Sequence, residues 1–198
     1  MQVLAFDPGK NQTSFAFARL VDGHIKQYGL VRPITTMRHP QFSMDADDFH
    51  LRIQNLVRGF GLTDSDAIVA ERFLDRGGGG KGTTGEHICS MLGIMKAAIQ
   101  PLPLQLVEPA TWKGWLARTY LTGKETKRQH TVVPNMWQHL RLRFPDQCWP
   151  KDKALRMVIH EADAIGIALW RYENTPHQPN RVGTITHLIG DETVKTVV

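Results

Sequence analysis

Two short apolar segments, each followed by a carboxylate, constrain the fold of this chain more than any other feature. Val3–Phe6 is followed by Asp7, and Ala67–Ala70 is followed by Glu71. A carboxylate at the end of a buried strand is costly unless something cationic meets it. The two segments therefore predict buried strands that end at a site containing a cation.

A third acidic position lies in an apolar stretch that has the pattern of a helix. His160 and Asp163 are three residues apart, so they share one face of that helix, whereas Glu161 points about 100° away. Three carboxylates from three distant segments predict one shared divalent cation, and hard carboxylate oxygens suit Mg²⁺ or Mn²⁺. Sites of this kind hydrolyse phosphodiesters by a two-metal route.

Each of these residues also has a plainer interpretation. Asp7 could simply cap the turn that follows it, and Glu71 could pair with its neighbour Arg72. His160 could be a helix-face histidine with no ligand role. An unpaired Asp163 would be destabilising among its alanine and isoleucine neighbours, and the four residues together are more informative than any one of them.

The basic residues of the chain are concentrated in one segment. The formal charge is +5 and the pI is near 9.4, yet residues 111–159 contain ten Lys/Arg and three acids, which leaves the remainder at −2. A basic block beside an acidic metal site is what an enzyme that cleaves a polyanion needs, although two solvated helices would give the same pattern. Trp112 and Trp115 lie among these cations, where they either stack on bases or pack in the core.

Size and composition predict an ordinary globular protein. With 198 residues, 41% of them apolar and 22% charged, the chain is long enough for one domain with a substantial core. Cys89 and Cys148 are too few for a disulfide framework. A secretory signal is not recognisable, and no apolar run approaches the roughly 20 residues of a membrane span. We therefore expect a cytoplasmic protein without a membrane partner.

The order of the predicted elements indicates an α/β fold with a mixed sheet covered by helices. The predicted strands are Gln2–Asp7, Thr13–Leu20, His24–Val31, Ala67–Glu71 and Leu104–Val107. The predicted helices are Asp45–Phe60, Glu86–Ile99, Pro109–Arg118, Lys124–Phe144 and Lys153–Tyr172. Three antiparallel strands are thus followed by strands that alternate with helices, which predicts a five-stranded sheet. We interpret residues 33–44 as a loop and residues 174–198 as a β-rich extension packed on the same domain.

Two well-known motifs are excluded by single residues. The segment beginning at His160 resembles a zinc-protease HExxH motif, but Ala164 occupies the position of the second histidine. Gly77–Gly80 and the following Lys81 resemble a phosphate-binding loop, but a glycine stands where Ser or Thr is required. The glycines indicate a loop beside Glu71 that either fits against a substrate or is an ordinary surface loop.

Taken together, these residues resemble the RuvC family of Holliday-junction resolvases, within the RNase H-like superfamily. The matching segments are Phe6-Asp7-Pro8-Gly9, Glu71 at the end of the fourth strand, and His160-x-x-Asp163-Ala164 on the last core helix. The resemblance covers roughly residues 1–172. It implies an RNase H-like nuclease domain over residues 1–173, followed by the extension.

The resemblance also implies an activity. Asp7 would bridge two Mg²⁺ ions, for which Mn²⁺ would substitute. Glu71 and Asp163 would each hold one ion, and His160 would be a ligand or would orient the attacking water. The enzyme would make paired nicks in four-way DNA junctions and other branched DNA, leaving 5′-phosphates. It would act as a homodimer, whose two-fold symmetry explains paired cuts, with helix Glu86–Ile99 as the dimer element.

The residues that would bind DNA follow from the same resemblance and from the basic segment. They are Phe73, Leu74, Arg76, Lys81, Lys113, Lys124, Lys127 and Arg128. The family has an aromatic wedge three residues after the glutamate, whereas here Leu74 stands at that position and Phe73 precedes it. This departure, the glycine-rich loop and the extension indicate a divergent member of phage origin, acting in a bacterial or infected host cell with a broader tolerance for branched DNA.

Three other functions compete with junction cleavage. An RNA-processing nuclease of YqgF type would use the same acidic site and basic segment on RNA. A protein that binds junctions without cutting them has no need of Asp7, Glu71 and Asp163. An ATP-binding relative of the sugar-kinase and actin type also opens with Asp-x-Gly, but we find neither a second phosphate-binding turn nor the greater length of that fold.

Overall fold

The computed structural model describes residues 1–8, 15–32, 35–36, 43–72, 83–120, 155–175, 185–189 and 192–196. Its strands are β1 (Gln2–Pro8), β2 (Phe15–Val21), β3 (His24–Val31), β4 (Thr35–Thr36), β5 (Ser43–Met44), β6 (Ala67–Glu71), β7 (Leu104–Val107), β8 (Ile185–Ile189) and β9 (Glu192–Thr196). Its helices are α1 (Ala46–Gly59), α2 (Thr83–Ala98), α3 (Pro109–Tyr120) and α4 (Leu155–Glu173).

The central sheet has five strands in the order β3-β2-β1-β6-β7. β2 is antiparallel to both β1 and β3, whereas β6 runs parallel to both β1 and β7. The predicted α/β fold with a mixed sheet is therefore confirmed. The bounds of β3, β6 and β7 are the predicted ones, because turn residues or prolines flank each of these short apolar runs.

The sheet is covered on both faces, since successive side chains of a strand point to opposite sides. Val3 and Ala5 of β1 lie in a core cluster with α3 and α4. Leu4 and Phe6 lie in a second cluster with α1 and α2. All four residues are fully buried, which explains why β1 is a continuous apolar run without alternation in its sequence.

Small residues allow α4 to lie close against the sheet. Every residue from Ala162 to Leu169 is buried, and four of these eight are alanine or glycine. The helix packs on β1, β2, β3 and β6 as well as on α3. The part of the chain around Asp163 is therefore held at the centre of the domain and in contact with the strands that carry the other candidate residues.

A hydrogen-bonded group, which we call the register bracket, joins the beginnings of β1 and β6 and is formed by Gln2, Arg19, Thr63 and Asp66. The backbone N–H of Gln2 donates to Asp66 Oδ1 at 2.6 Å, and Arg19 donates twice to Gln2 Oε1 at 2.6 and 2.9 Å. Asp66 Oδ2 accepts from the backbone and hydroxyl of Thr63. These bonds fix the alignment of the two parallel strands at their amino ends.

Some predicted elements differ from those observed. The predicted loop at residues 33–44 contains β4 and β5, which form a two-residue antiparallel ladder too short to leave a periodic signal. α2 begins at Thr83, three residues before the predicted start, because Gly85 made its first turn look like loop. The predicted helix Lys124–Phe144 lies outside the described residues.

At the carboxyl end, β8 and β9 pair antiparallel, as expected of a hairpin. The packing of this extension on the nuclease domain, and the boundary after residue 173, stay predictions. Among the helices within the described ranges, none combines the length and the apolar character needed to cross a bilayer.

Replacing Gly23 by alanine should destabilise the protein. Gly23 has φ +78°, and a Cβ there would lie 2.9 Å from Cε1 of Tyr172, a buried side chain of α4. Backbone strain and overpacking together should cost about 1–3 kcal/mol in the free energy of unfolding, measured by urea denaturation. Gly59→Ala is the matched control, because nothing lies within 4 Å of its Cβ position. Equal stability of the two variants would contradict the described turn.

Candidate active site

Asp7 and Glu71 lie side by side because of strand register. Phe6 pairs with Ala70 across the parallel strands β1 and β6, so the residues that follow them occupy equivalent positions at the carboxyl ends of these strands. Alternate residues of a strand point to the same face of the sheet. The odd-numbered residues of β1 and β6, which include Asp7 and Glu71, point to the face covered by α3 and α4. Asp7 is buried, and Glu71 is partly exposed.

α4 brings His160 and Asp163 to the same edge of the sheet. His160 Nδ1 and Asp7 Oδ2 share a hydrogen bond of 2.6 Å, and Asp163 is buried close enough to Asp7 and Glu71 to affect the charge of both. The structure thus places all four predicted catalytic residues together. The three-residue spacing on α4 accounts for the shared face.

α3 supplies two further contacts to this group of side chains. The indole Nε1–H of Trp112 donates to Glu71 Oε2 at 2.8 Å. The Lys113 Nζ lies 3.9 Å from the same oxygen and 3.2 Å from Asp163 Oδ2. The Lys113 side chain is 39% exposed, so it lies between the carboxylates and the solvent.

Burial and mutual repulsion raise the pKa values of Asp7 and Glu71. Burial raises the pKa of Asp7 to about 7, the negative charges of Asp163 and Glu71 add to this, and the hydrogen bond from His160 opposes it. Burial also raises the pKa of Glu71, although Lys113 and Trp112 favour its charged form. For Lys113, burial lowers the pKa, but the neighbouring carboxylates outweigh burial and raise it overall.

The donor atoms fit a hard divalent cation in their chemistry. Three carboxylates, held near one another at a cost in charge repulsion, are the ligand type that Mg²⁺ and Mn²⁺ prefer, and the ammonium of Lys113 lies against two of them. Over the described part of the chain, no three His, Cys, Asp or Glu side chains are already arranged to hold a metal ion. In this arrangement Lys113 supplies a positive charge next to Glu71 and Asp163.

Trp112 is the site residue whose role the sequence did not indicate. Its side chain is only 1% exposed and belongs to the core, so the core interpretation holds and the base-stacking interpretation is wrong for it. Trp115 is partly buried and packs against the same cluster. The one sequence signal was its position near the start of α3, which follows β7, the neighbour of β6. That position indicated the edge of the sheet at which Glu71 lies.

Lys113 is the one DNA-binding candidate that lies within the described residues, and it contacts the carboxylates. The other candidates lie outside those ranges: Phe73, Leu74, Arg76, Lys81, Lys124, Lys127 and Arg128. Glu161 is only partly exposed and interacts electrostatically with Arg32, which follows β3, while burial raises its pKa. This agrees with its expected position away from Asp163.

Trp112→Phe should weaken the support of Glu71. The change removes a hydrogen bond to a carboxylate and leaves a void in the core, so we expect the free energy of unfolding to fall by about 2–4 kcal/mol. The loss can be measured by urea denaturation. Trp115→Phe is the matched control, because Trp115 is only partly buried, and it should cost less. A smaller loss for Trp112→Phe than for the control would contradict this role.

The strand order and the helices on both faces define an RNase H-like fold. Among solved structures, RuvC of T. thermophilus in complex with a Holliday junction substrate is similar, with a TM-score of 0.56, 19% identity, and coverage of 87% of this chain and 93% of that chain. A structure of Thermus thermophilus RuvC has a TM-score of 0.53 and 20% identity at the same coverage. The expected RuvC-like fold is therefore confirmed.

This likeness extends over nearly the whole of both chains, so it concerns the domain and not a shared fragment. At 19–20% sequence identity, this similarity is evidence for a shared fold. No protein-family model and no curated protein matches the sequence.

Proposed function

We propose that this protein is a metal-dependent endonuclease that resolves four-way DNA junctions by paired phosphodiester nicks, leaving 5′-phosphates. The main support is the convergence of Asp7, Glu71, His160 and Asp163 at one edge of a RuvC-like sheet. One similar structure holds a Holliday junction substrate, which supports branched DNA as the substrate class. Such a function places the protein in the cytoplasm.

We infer that Asp7, Glu71 and Asp163 would hold two Mg²⁺ ions, for which Mn²⁺ would substitute. When bound, these ions supply an activated water and a counter-charge for the phosphate. The raised pKa of Asp7 supports this assignment, because a buried carboxylate beside two others is destabilised in its ionised form and a bound cation would stabilise it.

His160 acts on the reaction through Asp7 and through its own ring. The 2.6 Å hydrogen bond fixes the orientation of the Asp7 carboxylate. The His160 side chain is partly exposed, so a water molecule can reach its ring. We infer that His160 is either a metal ligand or orients the attacking water, and in both roles it depends on α4 for its position.

The DNA path runs from the carboxylates across the basic segment. Lys113 lies at the site itself, and the +7 balance of residues 111–159 favours a polyanion as the partner. We propose that Lys124, Lys127, Arg128, Arg76 and Lys81 bind the phosphate backbone of the DNA. Phe73 and Leu74 would wedge into the distorted centre of the junction.

We propose a homodimer, because paired cuts in a symmetric substrate need two active sites. The outer face of α2 is exposed and carries small side chains at Cys89, Gly93 and Ala97, spaced four residues apart. Such a face allows two helices to approach closely.

Gly93→Arg should convert this dimer to a monomer, because the new side chain stands in the helix–helix contact. Nothing lies within 4 Å of the Gly93 Cβ position, so the fold should tolerate the change. Sedimentation velocity measures the result, and Gly59→Arg on α1, whose Cβ position is equally open, should stay dimeric. A Gly93→Arg dimer of wild-type affinity would remove α2 from the interface.

The proposed function is tested by incubating the protein and Mg²⁺ with a synthetic four-way DNA junction. Linear duplex, flap DNA, RNA–DNA hybrid and single-stranded RNA serve as parallel substrates. Paired symmetric nicks with ligatable 5′-phosphate ends are expected in the junction alone or in branched DNA generally. Cutting of RNA or hybrid alone would instead assign the protein to RNA processing, and junction binding without any cut would make it a binding module.

A further inference from the structure

Lys113 lies between two of the proposed metal ligands. Its Nζ is 3.2 Å from Asp163 Oδ2 and 3.9 Å from Glu71 Oε2, and it also stands 4.8 Å from the centre of the Trp112 ring. Carboxylates from a strand end and from a helix thus share one ammonium group. Without it, their charges would face each other across a largely buried site, which is strongly unfavourable.

The oxygens that Lys113 contacts are atoms that a metal ion would need. An ammonium against these oxygens and a divalent ion bound between them would repel each other, so the lysine has to withdraw when the ion arrives. Its long side chain and 39% exposure leave a way out to solvent. Trp112 has no such freedom, because it is buried and hydrogen-bonded to Glu71.

We propose that Lys113 is the built-in counter-ion of the metal-free site, that it competes with Mg²⁺ for Asp163 and Glu71, and that metal binding releases it toward the phosphate of the substrate. This inference rests on the proposed function for the identity of the metal. It adds a step that the ligand set alone does not contain: one cation is exchanged for another, so the carboxylates keep a counter-charge throughout.

The exchange has an observable cost. Part of the free energy of metal binding is spent on breaking the contacts of Lys113, so removal of the ammonium should tighten Mg²⁺ binding. A lysine that served only to bind DNA would leave metal affinity in the absence of DNA unchanged. A lysine that helped to hold the metal site together would, if removed, weaken it.

The test is titration of the DNA-free protein with Mg²⁺, followed by calorimetry and by thermal unfolding. For Lys113→Met, the Kd for Mg²⁺ should fall by roughly fivefold, the size of a partly exposed ion pair. The metal-free variant should melt below the wild type, and saturating Mg²⁺ should raise its Tm by more. Lys113→Arg should restore the wild-type Kd, and Lys113→Gln replaces Lys113→Met if the latter does not fold.

Two controls separate this competition from general electrostatics and from the proposed function. Arg118→Met removes the same charge from an exposed position on α3 and should leave the Kd unchanged. Equal or weaker Mg²⁺ binding by Lys113→Met, or an equal gain from Arg118→Met, would overturn the inference and leave the nuclease proposal standing. Absence of saturable Mg²⁺ binding in both the wild type and Lys113→Met would overturn the inference together with the metal assignment.

Discussion

Asp7→Asn should abolish cleavage of a four-way junction while leaving junction binding nearly intact. The substitution keeps the shape of the side chain and its capacity to form a hydrogen bond with His160, but it removes the negative charge that would hold the metal. We expect the rate of cutting to fall by roughly a thousandfold or more, equivalent to about 4 kcal/mol of transition-state stabilisation. Single-turnover cleavage and gel-shift assays on the same junction measure the two effects separately.

A matched control is available close to the site. Glu161→Gln removes one carboxylate from the same stretch of α4, but Glu161 faces Arg32 and not Asp7, so cleavage should fall by less than about tenfold. If Asp7→Asn cuts at the wild-type rate, the assignment of the metal site is wrong. If it loses junction binding as well, Asp7 contributes to the fold or the DNA surface and its catalytic assignment is not supported.

The stability of the metal-free protein should fall as the pH rises from about 4 to about 7. The pKa of Asp7 is about 7 in the folded state and 3.8 in its ordinary state, so between these values the folded protein binds the additional proton. The ionisation of Asp7 should lower the free energy of unfolding by up to about 4 kcal/mol over this pH window. The raised pKa of Glu71 acts in the same direction, whereas Lys113 titrates at a much higher pH.

Asp7→Asn isolates this contribution, because asparagine does not titrate. In EDTA, the Tm of Asp7→Asn should exceed that of the wild type at pH 8 and should approach it at pH 4. At pH 8, Mg²⁺ should stabilise the wild type more than the variant, since only the wild type has the ionised Asp7 carboxylate to hold the metal. A difference in Tm between the two proteins that does not change with pH would show that Asp7 ionises normally in the fold.

The sequence was informative about the residues that face one another and less so about what supports them. The strand that carries Glu71 ended where predicted, and the strand that carries Asp7 ended one residue later, at Pro8. The three-residue spacing of His160 and Asp163 was enough to put them on one face. These are local signals, readable because strand and helix periods are fixed. The likeness to RuvC then follows from the arrangement of the elements, although fewer than a quarter of the residues are identical.

The contribution of Trp112 was not predictable, because a buried tryptophan that only packs and one that also donates a hydrogen bond look the same in a sequence. The same holds for Lys113, which the charge pattern assigned to a DNA surface but which the fold turns toward Glu71 and Asp163. Contacts across α3, α4 and β6 depend on tertiary packing, and neither residue period nor composition encodes them.

The register bracket has a consequence for the tolerance of the active site to mutation. Asp7 and Glu71 repel each other and so cannot serve as their own alignment device. The hydrogen bonds among Gln2, Arg19 and Asp66 help to keep the two strands in register. Gln2 and Asp66 lie about five residues, or ~17 Å, before the carboxylates along the strands. A slip of one residue would turn one carboxylate to the opposite face of the sheet. Substitutions in the register bracket, although remote from the two carboxylates, should therefore disturb the alignment of Asp7 with Glu71 and, under the proposed function, lower the rate of cleavage.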